Sequence, residues 1–221
     1  MKKTKKKSFG KKCMILCMVL IVILFGYKIM LGNHKVATEE HGWNLILINK
    51  DSYIPNNYQV ELTQLSNGQK VDARIYPKLQ EMFNHARAAG IYPFVAAGYR
   101  TKEKQQQLLD EKIAAYEAEG HSKAESQKLA KEWVAVPGTS EHQIGIAVDI
   151  NADTSKSSAD RVYRWLAQNA HKYGFIKRYP SDKTEITGVT NEPWHYRYVG
   201  KEAAQKIYDQ HICLEEYINS L

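Results

Sequence analysis

Two histidines and one aspartate in the sequence have the residue types of a catalytic metal site. His142 lies in a predicted turn that leads into a strand, Asp149 lies near the end of that strand, and His195 belongs to a separate motif. A catalytic zinc ion takes three protein ligands and keeps a further position for water, and two imidazoles with one carboxylate satisfy it without a thiolate. His142, Asp149 and His195 are therefore the predicted metal ligands, and Zn²⁺ is the predicted cofactor.

The stretch Glu192-Pro193-Trp194-His195 adds a second carboxylate close to the third ligand. Pro193 stiffens the link, so the Glu192 carboxylate can lie near the metal without ligating it. A carboxylate in that place can take a proton from water and deliver it to a leaving amine. We predict that Glu192 is the general base.

Arg100 is a candidate substrate-binding residue, because it follows Gly98-Tyr99 at the end of a predicted strand. A guanidinium at such a strand end can bind a carboxylate through two parallel N–H groups. The sequence therefore predicts that Arg100 contacts the substrate.

The strand that carries Asp149 has two unequal faces. One face is bulky and apolar, and its residues are Ile146, Val148 and Ile150. The other face carries Gly145, Ala147 and Asp149. Because successive side chains of a strand point to opposite faces, the bulky face is predicted to lie in the core. We expect Gly145 and Ala147 to leave room for substrate beside the metal, so that bulk at Ala147 reduces activity before it reduces stability.

The elements around these residues alternate between helices and short strands. Predicted strands cover Trp43–Ile48, Gln59–Leu62, Pro93–Ala97 and Trp194–Val199. Predicted helices run from about Ile75 to Gly90, from Ser158 to Gly174 and from Lys201 to Asn219. Two more begin after the caps Thr101 and Ser122, and the second of these ends near Trp133. Few strands, several helices and no βαβ rhythm indicate an α+β fold: a single domain with a small antiparallel sheet flanked by helices.

Three motifs together resemble those of a known enzyme family. They are Gly98-Tyr99-Arg100, Ser140-x-His142-x-x-Gly145-x-Ala147-x-Asp149 and Glu192-x-Trp194-His195, in this order. The stretch from Trp43 to Val199 is similar to the VanY-type zinc D-alanyl-D-alanine carboxypeptidases. The resemblance implies a Hedgehog/DD-peptidase-like domain with the same three ligands, with Glu192 as base, and with Arg100 polarising the scissile carbonyl or holding substrate charge.

The resemblance also implies three substrate-binding residues. Relatives with L,D-carboxypeptidase activity use a glutamine, a serine and a tyrosine that correspond to Gln105, Ser140 and Tyr179 here. Ala96-Ala97 stands where serines are frequent in the family, a departure that can change a substrate hydrogen bond without touching the metal.

The positive charge of the chain is concentrated at one end. The formal net charge is +7, but residues 1–12 contain seven lysines and no acid. Removing them from the 31 lysines and arginines leaves 24, which equals the 24 acidic residues. The excess of positive charge therefore belongs to the tail at residues 1–12, and no nucleic-acid partner is expected.

Residues 13–31 form an apolar run that only Lys28 interrupts. The run has about the 20 residues that cross a bilayer, and lysines on its N-terminal side favour a cytoplasmic N-terminus. We predict a basic cytoplasmic tail at 1–12, a single transmembrane anchor at 13–31, a linker at 32–42 and an extracytoplasmic catalytic domain at 43–221. A cleaved signal peptide is the rival interpretation of the apolar run.

These expectations combine into a membrane-anchored zinc D-alanyl-D-alanine carboxypeptidase of the cell membrane. It would act as a monomer and remove the C-terminal D-alanine from peptidoglycan stem peptides. An L,D-carboxypeptidase or D,D-dipeptidase on the same scaffold is an alternative, because all three activities share the metal and base. A non-catalytic, zinc-containing wall-binding module is the alternative from a different class.

Overall fold

The computed structural model describes residues 35–221, and eight strands lie within them. The strands are β1 (Lys35–Val36), β2 (Ser52–Tyr53), β3 (Leu62–Gln64), β4 (Lys70–Asp72), β5 (Pro93–Ala97), β6 (Ala147–Ala152), β7 (Phe175–Lys177) and β8 (His195–Tyr198). Two pairs, β1-β2 and β3-β4, form separate small sheets. The largest sheet has the order β5-β6-β8-β7 and is antiparallel throughout, as predicted.

Seven α-helices surround these sheets in the same part of the chain. They are α1 (Tyr76–Ala88), α2 (Lys102–Ala118), α3 (Lys123–Lys131), α4 (Ala159–Asn169), α5 (Thr184–Thr187), α6 (Lys201–Gln210) and α7 (Leu214–Asn219). Short 3₁₀ helices cover Glu141–Ile144, Ala170–Tyr173 and Ser181–Lys183. Residues 36–221 form one compact unit, so the expectation of a single α+β domain is confirmed.

The predicted helix starts have the expected caps. The Thr101 hydroxyl accepts a hydrogen bond from the Lys104 backbone N–H at the start of α2, at 3.1 Å. The Ser122 hydroxyl accepts one from the Glu125 backbone N–H at the start of α3, at 3.4 Å. Each cap satisfies one of the backbone donors that the first turn of a helix leaves unpaired.

The core lies between the four-stranded sheet and helices α1 and α4. Ile146, Val148 and Ile150 are fully buried, which confirms the prediction for the bulky face of β6. Leu79 and Met82 of α1 are also fully buried in this cluster. The opposite face of β6 and β8 is thereby left to carry polar residues.

The prediction of a strand at Trp43–Ile48 is wrong. The segment has turns and irregular backbone, although Ile46 and Ile48 are fully buried. The backbone carbonyl oxygens of Asn44 and Ile46 accept hydrogen bonds from the Arg197 guanidinium, at 3.2 and 2.8 Å. A buried side chain therefore satisfies acceptors that a strand would pair with a neighbouring strand.

The predicted helix from Lys201 to Asn219 is two helices. His211, with φ of 53°, ends α6 in the left-handed conformation. The Cys213 backbone N–H then donates to the Glu216 carboxylate at 2.7 Å, which caps α7. Strand β7 was not predicted, because three residues are too short to show a periodic pattern.

The predicted tail at 1–12, the predicted anchor at 13–31 and the first residues of the linker lie outside the described residues. Between residues 35 and 221, none of the helices combines the length and apolarity needed to cross a bilayer.

Candidate metal centre and active site

The structure brings the three predicted metal ligands together. Asp149 on β6 lies directly opposite His195 on β8 in the antiparallel register. His142 comes from the 3₁₀ helix that precedes β6. One potential ligand atom from each residue lies within 4.8 Å of the other two. The pairing of β6 with β8 therefore brings two of the ligands together, and the 3₁₀ helix before β6 supplies the third.

Both imidazoles face one carboxylate oxygen. Asp149 Oδ1 lies 3.3 Å from His142 Nε2 and 3.0 Å from His195 Nδ1. The two imidazole rings meet edge to face, with centroids 4.9 Å apart, and both side chains are buried. Two nitrogen atoms and an oxygen atom thus converge on one small volume.

Each histidine is oriented through its other ring nitrogen. His142 Nδ1 lies 2.8 Å from the Gly98 carbonyl oxygen and donates to it, which leaves Nε2 to ligate a metal. His195 Nε2 lies 3.4 Å from the Glu141 carboxylate, which leaves Nδ1 on the metal side. Such outer partners fix the orientation and basicity of histidine ligands.

The electrostatics of the cluster fit a cation. Burial lowers the pKa of His142, which favours the neutral imidazole that a metal requires. Although burial opposes charge on His195, the hydrogen bonds that its ring donates to Asp149 and Glu141 raise its pKa to about 9. The carboxylates around His195 therefore stabilise positive charge at this point. Two imidazoles and a carboxylate are a suitable donor set for zinc.

Glu192 lies beside the cluster without joining it. Its Oε2 atom is 3.6 Å from His195 Nδ1, and its side chain lines the same cavity. Burial raises the pKa of Glu192 above its ordinary value, which makes the carboxylate a better proton acceptor. This geometry agrees with the predicted role of a base.

Arg100 forms a hydrogen bond with a metal ligand and also lines the cavity. Its Nη2 atom donates to Asp149 Oδ2 at 2.7 Å, and the side chain is 22% exposed. Its backbone N–H donates to the His142 carbonyl oxygen at 3.1 Å. Arg100 therefore orients the metal ligand Asp149 while lining the cavity into which a substrate would enter.

The cavity has a volume of about 760 Å³, and Gln105, Ser140 and Tyr179 also line it. Gln105 Nε2 donates to the Ala135 carbonyl oxygen at 2.8 Å, whereas the buried Gln105 Oε1 has no protein partner. Ser140 is 5% exposed. The Tyr179 ring lies 4.9 Å from the His195 ring, and burial raises the pKa of its phenol, which stays neutral. All three predicted substrate-binding residues thus line the same cavity as the cluster.

The expectation that Gly145 and Ala147 leave room for substrate is not supported by their positions, because neither residue lines the cavity. A Cβ atom on Gly145 would lie 3.1 Å from the Asp72 backbone nitrogen. Ala147 is fully buried and lies opposite Arg197 in the register. The small residues on this face accommodate protein, not substrate.

The sequence did not identify Glu141 as part of the site. Its side chain is fully buried, and Oε1 accepts hydrogen bonds from Arg178 Nε at 2.7 Å and from Arg197 Nη1 at 3.0 Å. Both arginines are fully buried. The available signal was Arg197 between Tyr196 and Tyr198, because a buried arginine needs a buried acid, but this pattern does not say which acid.

Comparison with known proteins gives consistent matches. The family model described as VanY, D-alanyl-D-alanine carboxypeptidase, matches residues 68–201. A D-alanyl-D-alanine carboxypeptidase of Enterococcus faecalis is 60% identical over 190 residues, which cover 86% of this chain and 71% of the relative.

Two solved structures are similar over most of the described residues. A variant of the vancomycin resistance D,D-pentapeptidase VanY in complex with Zn(II) has a TM-score of 0.78 and 62% identity, covering 80% of this chain and 99% of that one. VanYB in complex with D-alanine-D-alanine has a TM-score of 0.79 and 63% identity, covering 80% and 98%.

Proposed function

Because the chain belongs to the VanY family of D-alanyl-D-alanine carboxypeptidases, we propose that it removes the C-terminal D-alanine from peptidoglycan stem peptides. One observation carries this proposal. His142, Asp149 and His195 form a three-ligand cluster for zinc, and Glu192 lies next to it in the same cavity. A three-ligand site with an adjacent base is the arrangement of a zinc hydrolase.

Zinc bound to the cluster would lower the pKa of a water molecule and polarise the scissile carbonyl. Glu192 accepts a proton from the attacking water, which its raised pKa favours, and then delivers that proton to the leaving D-alanine amine. His142 and His195 are held in orientation by Gly98 and Glu141, so they need no rearrangement when substrate enters.

Arg100 supplies positive charge at the edge of the cluster. Its contact with Asp149 holds the guanidinium beside the ligand cluster, where it would face the negative charge that develops on the carbonyl oxygen of a bound substrate. Preorganised positive charge of this kind stabilises the transition state more than the ground state. The same group can hold a carboxylate of the substrate.

A membrane anchor at residues 13–31 would hold the catalytic domain outside the cell, close to its wall substrate. The apolar run and the flanking lysines of residues 1–12 support this topology. We infer a single-pass protein of the cell membrane that acts as a monomer.

An L,D-carboxypeptidase is the second candidate. Gln105, Ser140 and Tyr179, which correspond to substrate-binding residues of L,D-specific relatives, all line the cavity. A non-catalytic wall-binding module is less well supported, because such a module has no need for a buried carboxylate at the position of Glu192.

Product analysis on defined stem peptides tests the proposal. The full chain in detergent is incubated with a pentapeptide ending in D-Ala-D-Ala, with the tetrapeptide, and with free D-Ala-D-Ala, and the products are identified by mass. We expect the pentapeptide to lose one D-alanine, a chelator to stop the reaction, and zinc to restore it. Preferential cleavage of the tetrapeptide would favour the L,D-carboxypeptidase, and activity that resists chelation would contradict both candidates.

A further inference from the structure

The metal ligand His195 is connected to the C-terminal helix α7 by a chain of buried charges. We propose that Glu215 on α7 is a positioning residue for His195, acting through Arg178 and Glu141. The proposal rests on the zinc site proposed above. Helix α7 then takes part in setting the geometry of the metal centre. This helix lies outside residues 68–201, which are the residues that the family model matches.

The connection consists of short, directed contacts. Arg178 Nη1 and Nη2 donate to the two carboxylate oxygens of Glu215 at 2.8 and 2.6 Å. Arg178 Nε donates to Glu141 Oε1 at 2.7 Å. The other oxygen of Glu141, Oε2, faces His195 Nε2 at 3.4 Å. Arg178 therefore joins two carboxylates, one on α7 and one beside the metal ligand.

A bidentate pair holds the guanidinium in one plane. The fork of Arg178 matches the two oxygens of Glu215, which leaves Nε pointing at Glu141. Asn49 Nδ2 donates to Glu215 Oε1 at 3.2 Å and restrains that carboxylate from a second side. The position of Glu141 is thus set by groups that are themselves fixed.

The charges balance only when Glu215 is present. Arg178 and Arg197 carry two positive charges, and Glu141 and Glu215 carry two negative charges, with both arginine side chains and that of Glu141 fully buried. Without the Glu215 carboxylate, Arg178 would have Glu141 as its remaining buried acid. It would draw Glu141 away from His195 and add one uncompensated positive charge near the metal site.

Helix α7 is anchored independently of these charges. Leu214 and Tyr217 are buried in a second core cluster together with Val199, which follows β8. This packing fixes the helix beside the end of the strand that carries His195. A charge change at Glu215 can therefore alter the site without removing the apolar contacts of α7.

The neighbouring residue provides a matched control. Glu216 lies on the same helix and carries the same charge, but it pairs with Lys183 at 2.9 Å and accepts the capping hydrogen bond from the Cys213 backbone N–H, so it has no contact with Arg178. Glu215→Gln and Glu216→Gln each remove one negative charge and keep an acceptor oxygen. The dissociation constant for Zn²⁺ is measured by competition with a chromophoric chelator, and the visible spectrum of the Co²⁺-substituted full chain reports ligand geometry.

We expect Glu215→Gln to raise the zinc dissociation constant about tenfold and to change the Co²⁺ spectrum, while Glu216→Gln matches the unmodified protein. A folded Glu215→Gln protein with unchanged zinc affinity and Co²⁺ spectrum would overturn the proposal. Should Glu215→Gln fail to fold, Glu215→Asp, which keeps the charge but shortens the side chain, is held to the same two measurements. An unmodified protein that binds no zinc would instead contradict the proposed function.

Discussion

The carbonyl oxygen of Gly98 accepts a hydrogen bond from Nδ1 of His142 at 2.8 Å, so a glycine after β5 orients a metal ligand that follows helices α2 and α3 in the chain. Gly98 itself has no space for a side chain. A Cβ atom there would overlap with the carbonyl oxygen of Lys70 on β4. The close contact between the Gly98 backbone and the Lys70 carbonyl group therefore fixes the acceptor that orients His142.

The Gly98→Ala variant is expected to lose about 1–3 kcal/mol of unfolding free energy, because the backbone must shift to admit the methyl group. The same shift would move the acceptor of His142 and weaken zinc binding by about tenfold. Denaturant unfolding and chelator competition measure the two effects. Gly68→Ala is the control, since no atom lies within 4 Å of its Cβ position. Because Gly68 has a positive φ, alanine there costs stability, but the zinc affinity should stay unchanged. A Gly98→Ala protein with normal zinc affinity would contradict the role of Gly98 in orienting His142.

Replacing Glu192 by glutamine should separate catalysis from metal binding. The variant keeps the shape of the side chain but cannot accept the proton of water, so kcat should fall by about 10²–10⁴-fold. Zinc content, measured by elemental analysis, should stay stoichiometric because Glu192 is not in the ligand cluster. Glu185→Gln on the exposed surface of α5 is the matched control. An active, zinc-loaded Glu192→Gln enzyme would exclude Glu192 as the base.

The unpaired oxygen of Gln105 predicts a substrate contact. Gln105 Oε1 is buried, has no protein partner and belongs to a side chain that lines the cavity. A substrate N–H that donates to it would contribute about 0.5–1.5 kcal/mol, so Gln105→Met should raise KM by about two- to tenfold. Steady-state kinetics on the stem pentapeptide measure the change. The exposed neighbour Gln106, substituted in the same way, should show none, and an unchanged KM for Gln105→Met would argue for a purely structural amide.

Ala147→Leu is expected to destabilise the fold before it affects turnover. Ala147 is fully buried beside Arg197 and lies outside the cavity lining, so extra methyl groups would crowd protein atoms. Overpacking of this kind costs about 1–3 kcal/mol, measured by denaturant unfolding. Ala118→Leu, at an exposed position of α2, should stay within about 0.5 kcal/mol of the parent. A fully stable but inactive Ala147→Leu protein would restore the idea that Ala147 makes room for substrate.

The sequence by itself determined the local parts of this protein. The period of β6, the caps Thr101 and Ser122, and the metal-ligand residue types are properties of short segments, and local sterics and hydrogen bonding decide them. The motif order was enough to identify the family resemblance and hence the candidate ligands and base.

Only the tertiary structure decided what surrounds those parts. The segment Trp43–Ile48 is irregular because Arg197 reaches its carbonyl groups from a strand about 150 residues away. Glu141 became part of the site because Arg197 and His195 on β8, and Arg178 directly after β7, converge on its carboxylate. Such contacts depend on long-range register and on the pairing of buried charges, which no local pattern of residues encodes.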